Sequence, residues 1–133
     1  MLRVRTKVKS SPVHGLGLFA DQFIPKGTIT WEYDSTFDVG FSEKDVNGLD
    51  GLPKGFLMFY CYLDKDLKRF ILCADNQRYI NHTSDRALEN ITSTPRQDVA
   101  ERDIQPGEEM LCDYHKFDDE YFKRHGISHR DLK

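Results

Sequence analysis

Short apolar stretches, separated by turns rich in glycine, proline and aspartate, run along most of the chain. Apolar and polar residues alternate over positions 2–8, and residues 28–33 are rich in β-branched and aromatic side chains, so both segments predict strands. The apolar runs 56–63 and 69–74 flank an acidic turn and predict a β-hairpin. Another strand is predicted over 98–104. The pattern indicates a mostly β domain with a minor helical part.

The helical part is predicted in two places. Residues 34–56 are the least regular stretch, and we interpret them as a variable surface insert suited to substrate selectivity. Ser42 is placed to cap a one-turn helix inside this insert. A second short helix is predicted in the carboxyl-terminal segment 118–133, beginning after Asp118 and ending at Gly126.

Length, charge and cysteine content limit the classes of protein to which this chain can belong. A chain of 133 residues is expected to form one domain over 1–133. Its net charge of −3 predicts no direct binding to nucleic acid or to an acidic membrane. The amino terminus lacks a signal-peptide core, and no stretch is apolar for long enough to span a membrane. Cys61, Cys73 and Cys112 are widely spaced, which favours reduced thiols in an intracellular protein of cytoplasm or nucleus.

The densest group of functional side chains is the run Arg78-Tyr79-Ile80-Asn81-His82-Thr83. Asparagine tends to bond its own backbone, so Asn81-His82 is predicted to form a tight loop after a short Tyr79-Ile80 strand. A guanidinium, a phenol, an amide and an imidazole gathered at one loop suit a site for a polar ligand. A turn whose amide and imidazole satisfy the neighbouring backbone remains the alternative.

Three other kinds of site receive little support. Gly15-Leu16-Gly17 permits close approach of the backbone to a ligand, but it lacks the third glycine of a dinucleotide site and the Gly-Lys-Ser/Thr of a phosphate loop. His125 and His129 are four residues apart, yet Gly126 between them is expected to end the helix that would align them on a metal. No Gly-x-Ser-x-Gly elbow is present. We therefore predict no metal site.

Taken in order, three motifs closely resemble the SET domain family of S-adenosylmethionine-dependent protein-lysine methyltransferases. They are Gly15-Leu16-Gly17, the run 78–83, and Gly107-Glu108-Glu109-Met110-Leu111-Cys112-Asp113-Tyr114. The resemblance extends over about 8–117. It implies several small sheets and a carboxyl-terminal segment that passes through a loop, a pseudoknot that is rare among proteins. The cysteine-rich zinc segment that follows many such domains is absent, so the chain resembles a small stand-alone member.

The resemblance assigns roles by position. S-adenosylmethionine would be the cofactor and S-adenosylhomocysteine the product, and Tyr114 would be the catalytic residue. The cofactor residues would be His14, Gly15, Leu16, Gly17, Arg78, Tyr79, Asn81 and His82, with Phe117 preferred to Tyr121 or Phe122 as the cover of the adenine. The substrate channel would include Tyr60, Tyr62 and Cys112, although a role as ordinary core aromatics is equally compatible with the two tyrosines. Cys112 stands where many members carry Phe or Tyr, which predicts room for di- or trimethylation.

The motif around Asn81 departs from the family pattern. Asn-His-Ser-Cys followed by Pro-Asn is common, whereas this chain has Asn81-His82-Thr83-Ser84 and reaches Asn90 only later. The loop is therefore expected to differ in length or path. Channel closure would come from the Tyr121-Phe122 helix or from a second subunit in a homodimer.

The resemblance implies a protein-lysine N-methyltransferase whose partner is a lysine-bearing protein or peptide, a histone-like one being a candidate. Two alternatives stay open at this point. One is a catalytically inactive module that binds a peptide or the cofactor. The other is a methyltransferase that acts on a small amine or a non-lysine side chain.

Overall fold

The computed structural model describes residues 1–125. Its strands are β1 Thr6–Ser10, β2 Leu16–Ala20, β3 Ile29–Glu32, β4 Val39–Ser42, β5 Tyr62–Asp64, β6 Arg69–Leu72, β7 Asn81–His82, β8 Ile91–Ser93, β9 Gln97–Ala100 and β10 Leu111–Cys112. Its α-helices are α1 Glu43–Asn47, α2 Gly51–Tyr60 and α3 Tyr121–His125, and 3-10 turns cover Asn76–Tyr79 and Tyr114–Lys116. The mostly β class predicted from the sequence is confirmed.

The strands of the described chain form three small sheets. β1 and β2 pair antiparallel, β6 lies between β4 and β5, and the largest sheet has the order β3-β9-β8-β10-β7. Most neighbours are antiparallel, but β10 runs parallel to both β7 and β8. Several small sheets rather than one continuous sheet were expected from the resemblance, and this expectation is also confirmed.

The carboxyl-terminal strand β10 lies between two strands that precede it in sequence. Because β7 and β8 flank it, residues 83–90, which connect these two strands, have to cross β10. At one end of the crossing the Thr83 N–H donates to the Cys112 carbonyl at 3.0 Å. At the other end the Asn90 N–H donates to the Leu111 carbonyl at 3.1 Å. This interleaving joins the middle motif to the last one.

The side chain of Asn90 extends the pairing of β10. Its Nδ2 donates to the Glu109 carbonyl at 2.8 Å, and its Oδ1 accepts from the Leu111 N–H at 2.8 Å. Asn90 is only 1% exposed, so water is not available to replace either partner. The asparagine that departs from the family spacing therefore holds β10 in place.

Ion pairs fasten the crossing loop from outside. The buried carboxylate of Glu89 pairs with Lys116, which follows β10, and with Arg86. Arg86 also pairs with Glu101 beyond β9. The loop is thus tied to chain segments on both sides of the strand that it crosses.

Apolar packing beneath the sheets fixes their relative positions. The largest cluster joins β2, β8 and β9 to β10 and to the turns that precede β3 and β10; its fully buried members are Leu18, Ile24, Ile91, Ile104, Met110 and Cys112. Each large aliphatic side chain buried in this way contributes about 1.5–3 kcal/mol. Among the described residues, no helix is long and apolar enough to cross a bilayer.

The first arm of the predicted hairpin is wrong for residues 56–60, which belong to the helix α2. Leu57 and Cys61 are both buried, and this spacing of four residues places them together against Val46 and Phe70. A continuous apolar run fits a buried strand and a buried helix equally well. A shorter hairpin than predicted is present, formed by β5 paired with β6.

Three strand boundaries also differ from the predictions. The first strand is β1, further along the chain than 2–8, and Leu2 makes only an isolated bridge to Trp31. The segment 98–104 contributes only its start, within β9. The assignment around Asn81 is reversed, because residues 76–79 form a 3-10 turn and Asn81–His82 is the strand β7. The Asn81 amide bonds distant carbonyls instead of its own backbone, which removes the reason for a loop.

Both predicted short helices are present, but one of them begins later in the chain than predicted. The Ser42 hydroxyl accepts from the Asp45 N–H at 3.0 Å and caps α1, as predicted. The predicted insert 34–56 is more regular than expected, since it holds β4, α1 and the start of α2. α3 begins at Tyr121, later than predicted, because the Asp118 carboxylate binds the Leu63 N–H and Arg124. The predicted end of this helix at residue 126 and the histidine at 129 lie outside the described residues.

We expect Asn90→Ala to lower the free energy of unfolding by about 2–4 kcal/mol, because it leaves a buried N–H and a buried carbonyl unpaired. Denaturant unfolding measures this change. Asn47→Ala, at the exposed end of α1, is the matched control and should change stability by less than about 0.5 kcal/mol. A loss for Asn90→Ala as small as that of the control would contradict the assigned role.

Candidate active site

Two cavities meet at Tyr114. The larger, about 230 Å³, lies between the glycine-rich bend before β2, the Arg78–His82 stretch and α3. The smaller, about 60 Å³, lies over the largest sheet and is walled mainly by aromatic side chains. Both cavities are lined by Phe59, Tyr60, Arg78, Ile80, Tyr114 and Tyr121. The parallel pairing of β10 with β7 brings these two spaces together.

Most of the predicted cofactor residues line the larger cavity. They are His14, Gly15, Leu16, Arg78, Tyr79, Asn81 and His82. Gly17 is not among the residues that line this cavity. A Cβ at this position would collide with the Glu109 carboxylate. The glycine therefore makes room for a charged neighbour.

Phe117, which was predicted to cover the adenine, lies outside the set of residues that line the larger cavity. It lines the smaller cavity, where its ring packs edge-on against Tyr62 at 5.6 Å. Tyr121 and Phe122, the two residues that the sequence left as alternatives, line the larger cavity. The 3-10 turn Tyr114–Lys116 sets this direction, because it turns the chain before Phe117 is reached.

Asn81 shapes the wall of the larger cavity from β7. Its Nδ2 lies 2.9 Å from the His14 carbonyl, 3.0 Å from the Leu16 carbonyl and 3.0 Å from the Glu109 carboxylate. One amide group thus ties the glycine-rich bend to the segment just before β10. Sequence reasoning selected this residue for its type, and the structure gives it a tertiary role.

His82 holds the start of the Tyr114 segment. Its Nδ1 accepts the Tyr114 N–H at 3.0 Å, so in the neutral ring Nε2 carries the proton and faces the Ser84 hydroxyl at 2.9 Å. Its ring also packs against Phe122 at 4.7 Å. The imidazole therefore positions the predicted catalytic tyrosine and α3 together.

The Tyr114 phenol is fixed at the junction of the two cavities. Its hydroxyl donates a hydrogen bond to the Ile80 carbonyl. Burial raises the pKa of Tyr114 well above its ordinary value, so the group stays a neutral phenol at physiological pH. A phenol that donates its proton to a carbonyl keeps oxygen lone pairs that can accept from another donor.

Glu109 is a residue that sequence reasoning quoted in a motif without giving it a role. Its Oε2 is buried and has no hydrogen-bond partner among the described residues. An unpaired carboxylate oxygen at this depth is costly unless a donor or a cation reaches it. Two glutamates after a Pro-Gly turn are common in sequences, so this pattern does not identify Glu109 as a functional residue.

Aromatic and apolar groups form the walls of the smaller cavity. Trp31 packs edge-on against Tyr62 at 6.4 Å, and the Tyr62 hydroxyl donates to the Pro95 carbonyl at 2.7 Å. Cys112, from β10, also lines this space. Tyr60 lies at the junction and lines both cavities. The three predicted channel residues are thus brought together.

The floor of the smaller cavity is polar, which the sequence did not suggest. Gln77, Ser93 and Asp98 all line it, and each is at most 5% exposed. The Gln77 Nε2 donates to the Asp98 carboxylate at 2.5 Å. Burial raises the pKa of Asp98 from 3.8 to about 7, although this hydrogen bond and the nearby Ser93 partly oppose the shift.

One group of possible metal ligands occurs in the described part of the chain. Donor atoms of His82, Asp113 and His115 lie within 4.8 Å of one another. Both ring nitrogens of His82 are already engaged, by the Tyr114 N–H and by Ser84. The Asp113 carboxylate caps the turn at the His115 N–H. These contacts account for the cluster as structural, and we assign it no metal.

The interleaved strands, with an Asn-His strand beside a terminal tyrosine, define a SET-type β-fold. The family model described as SET domain matches residues 15–115. This chain belongs to the SET domain family, whose members are typically methyltransferases and generally use S-adenosylmethionine. No curated protein sequence matches the chain significantly.

Solved structures of Polycomb Repressive Complex 2 from Chaetomium thermophilum resemble the chain. The apo complex in an autoinhibited state gives a TM-score of 0.67 at 23% identity, over 92% of this chain and 17% of that one. The complex bound to GSK126 gives 0.66 at 22% identity, again over 92% and 17%. The complex with H3K27me3 and H3K27M gives 0.61 at 23% identity, over 84% and 14%. The chain therefore spans less than a fifth of the length of these relatives, and the likeness shows the fold alone.

The raised pKa of Asp98 predicts a pH-dependent stability. The folded state keeps the Asp98 proton up to about pH 7, whereas the unfolded chain loses it near 3.8. The contribution of Asp98 to the free energy of unfolding is therefore present in acid and falls by roughly 4 kcal/mol between about pH 4 and 7.

Asp98→Asn removes this titration and keeps an acceptor for Gln77. We expect the stability of the variant, relative to the wild type, to rise from about pH 4 to about pH 7 and to level off above that in denaturant unfolding. Asp66→Asn, at an exposed position, is the control and should follow the wild type. A difference between Asp98→Asn and the wild type that stays constant with pH would rule out a buried, titrating carboxylate.

Proposed function

We propose that this chain is a protein-lysine N-methyltransferase that uses S-adenosylmethionine. The observation that carries the proposal is the meeting of two unlike cavities at Tyr114. The larger is lined by residues of the first two motifs together with aromatic rings, and the smaller lies over the largest sheet between Trp31, Tyr62 and Phe117. A cofactor on one side and an acceptor side chain on the other would approach each other at this junction.

The residues around the larger cavity fit the cofactor. Behind the wall, Glu109 accepts from the lining residue Asn81 and has a second, buried oxygen without a partner among the described residues, so its charge favours an ammonium group on this side of the cavity. The Arg78 Nε is likewise buried without a partner among the described residues and suits a carboxylate. Tyr79 and Phe122 supply aromatic faces for a purine, and we now favour Phe122 over Phe117 for the adenine. When bound, the cofactor supplies an electrophilic methyl group on a sulfonium.

The protein's own contribution would be to position and neutralise the acceptor amine. Free lysine has a pKa near ~10.4, and only the neutral amine has a lone pair to offer. Removal from water inside the narrow smaller cavity disfavours a charged ammonium and lowers that pKa. The Tyr114 oxygen, whose proton is engaged by Ile80, can accept an N–H of the amine and so aim its lone pair at the junction.

The shape of the smaller cavity supports the proposed substrate class. A narrow aromatic channel suits the aliphatic stem of a lysine, and a peptide can add as a strand to an exposed sheet edge such as β4. The Chaetomium complex, solved with H3K27me3 and H3K27M, supports a protein or peptide substrate. Room for two or three methyl groups beside Cys112, an intracellular location and a homodimer stay predictions.

Incubation with radiolabelled S-adenosylmethionine and a panel of proteins, followed by mass spectrometry, tests the proposal. We expect label on lysine. Tyr114→Phe should lower turnover by at least about 100-fold, because it removes a group positioned at the reacting centre. Its affinity for S-adenosylhomocysteine should stay within about twofold of the wild type.

Label on another group would support methylation of a small amine or a non-lysine side chain, and no label would support an inactive binding module. Either result would reject the proposal. Unchanged turnover in Tyr114→Phe would reject only the role given to that hydroxyl.

Asn81→Ala should weaken the binding of S-adenosylhomocysteine by at least about tenfold in titration calorimetry. The change frees the His14 and Leu16 carbonyls and loosens the wall of the larger cavity. Asn47→Ala is the control for a lost amide far from the cavity. Wild-type affinity in Asn81→Ala would show that the larger cavity does not hold the cofactor.

A further inference from the structure

Sheet register gathers three polar side chains at the floor of the smaller cavity. Asp98 on β9 lies directly opposite Ser93 on β8 and opposite Trp31 on β3, so these side chains share one face of the sheet. Gln77 reaches the same face from its 3-10 turn. All of them are more than nine-tenths buried, so solvent does not surround the group.

The floor has acceptors that the protein leaves unused. Gln77 donates through Nε2 to Asp98, but its Oε1 is buried and has no partner among the described residues. The Ser93 Oγ is buried too; its hydroxyl interacts with the Asp98 carboxylate, which leaves its lone pairs for another donor. Buried polar atoms are normally paired, and an unpaired one costs free energy. Within residues 1–125, Trp31 Nε1 on the same face is an unpaired donor, so it is the three polar side chains of the floor, rather than every polar group of the cavity, that suit a ligand that donates hydrogen bonds.

Charge and shape narrow the ligand further. Arg78 lines the smaller cavity at its junction with the larger one, whereas Asp98 lies at the floor and disfavours an anion there. The walls formed by Trp31, Tyr62 and Phe117 suit an alkyl stem that ends in a cation. A primary or secondary amine at the end of such a stem has both the N–H groups and the charge. A neutral amine keeps N–H groups as well and would be held by the same acceptors. A quaternary trimethylammonium keeps the charge but has no N–H.

We propose that Gln77, Ser93 and Asp98 form an acceptor floor that selects an amine by the number of N–H groups it retains. The inference rests on the proposed function only in taking the smaller cavity as the acceptor channel. The floor would limit the number of methyl groups on the bound amine through hydrogen bonding rather than through the size of the side chains. Cys112 leaves space for methyl groups, but each one added removes a donor, so the floor disfavours the trimethylated state.

Side-chain mimics test this floor without any substrate protein and without methyl transfer. We would titrate the chain by NMR at pH 7 with butylamine, its N-methyl and N,N-dimethyl derivatives, and butyltrimethylammonium. The expected affinity falls along this series, by at least about tenfold from first to last. Aromatic walls alone would give the opposite order, because they favour the larger, softer cation.

Two variants test whether the floor residues cause the selectivity among the amines. Asp98→Asn should weaken butylamine binding by about tenfold or more and flatten the series. Ser93→Ala, a smaller change that is expected to preserve the fold, should weaken butylamine several-fold and leave butyltrimethylammonium unchanged. Asp66→Asn is the control and should bind like the wild type. Butyltrimethylammonium binding as tightly as butylamine, the absence of any amine binding, or a series unaffected by both floor variants would each overturn the inference.

The two proposals fail separately. Graded amine binding without label transfer from S-adenosylmethionine to lysine would keep the floor and reject the proposed reaction. Label transfer to lysine without graded amine binding would keep the reaction and reject the floor.

Discussion

The insertion of β10 between β7 and β8 is the constraint on which the site depends. Two parallel pairings bring a strand from residues 111–112 between segments that come tens of residues earlier. The strands are too short to hold themselves, so Asn90 and the ion pairs of the crossing loop complete the attachment. Without this crossing, His82 would not meet the Tyr114 N–H.

The two cavities differ in chemistry because different groups are buried around each of them. In the larger one, Asn81 draws backbone carbonyls and a carboxylate together, which makes a polar, electron-rich wall. In the smaller one, aromatic rings surround a floor whose carboxylate is held from water, so burial raises the pKa of Asp98 to about 7. Tyr114 stands between them as a neutral phenol fixed by Ile80. The same low dielectric that disfavours charge makes each remaining polar contact selective.

Sequence reasoning found the fold through the order of its motifs, because glycines, Asn-His and a terminal tyrosine are needed for geometry that composition alone does not show. It failed where local pattern does not determine the tertiary environment. The run 56–63 is apolar throughout, so strand and helix could not be told apart. The cavity that Phe117 lines could not be predicted, because a 3-10 turn that the sequence pattern does not show sets its direction. Asp98 and Glu109 were missed because only the packed structure shows that their carboxylates are buried.

A crystal structure of the chain with S-adenosylhomocysteine tests the central claim most directly. The account predicts the ligand in the larger cavity, with its amino-acid end toward the glycine-rich bend and its sulfur at Tyr114, facing the smaller cavity. Ligand bound at another surface, or bound with its sulfur turned away from Tyr114, would contradict the claim that the crossing of β10 builds one site from two distant motifs.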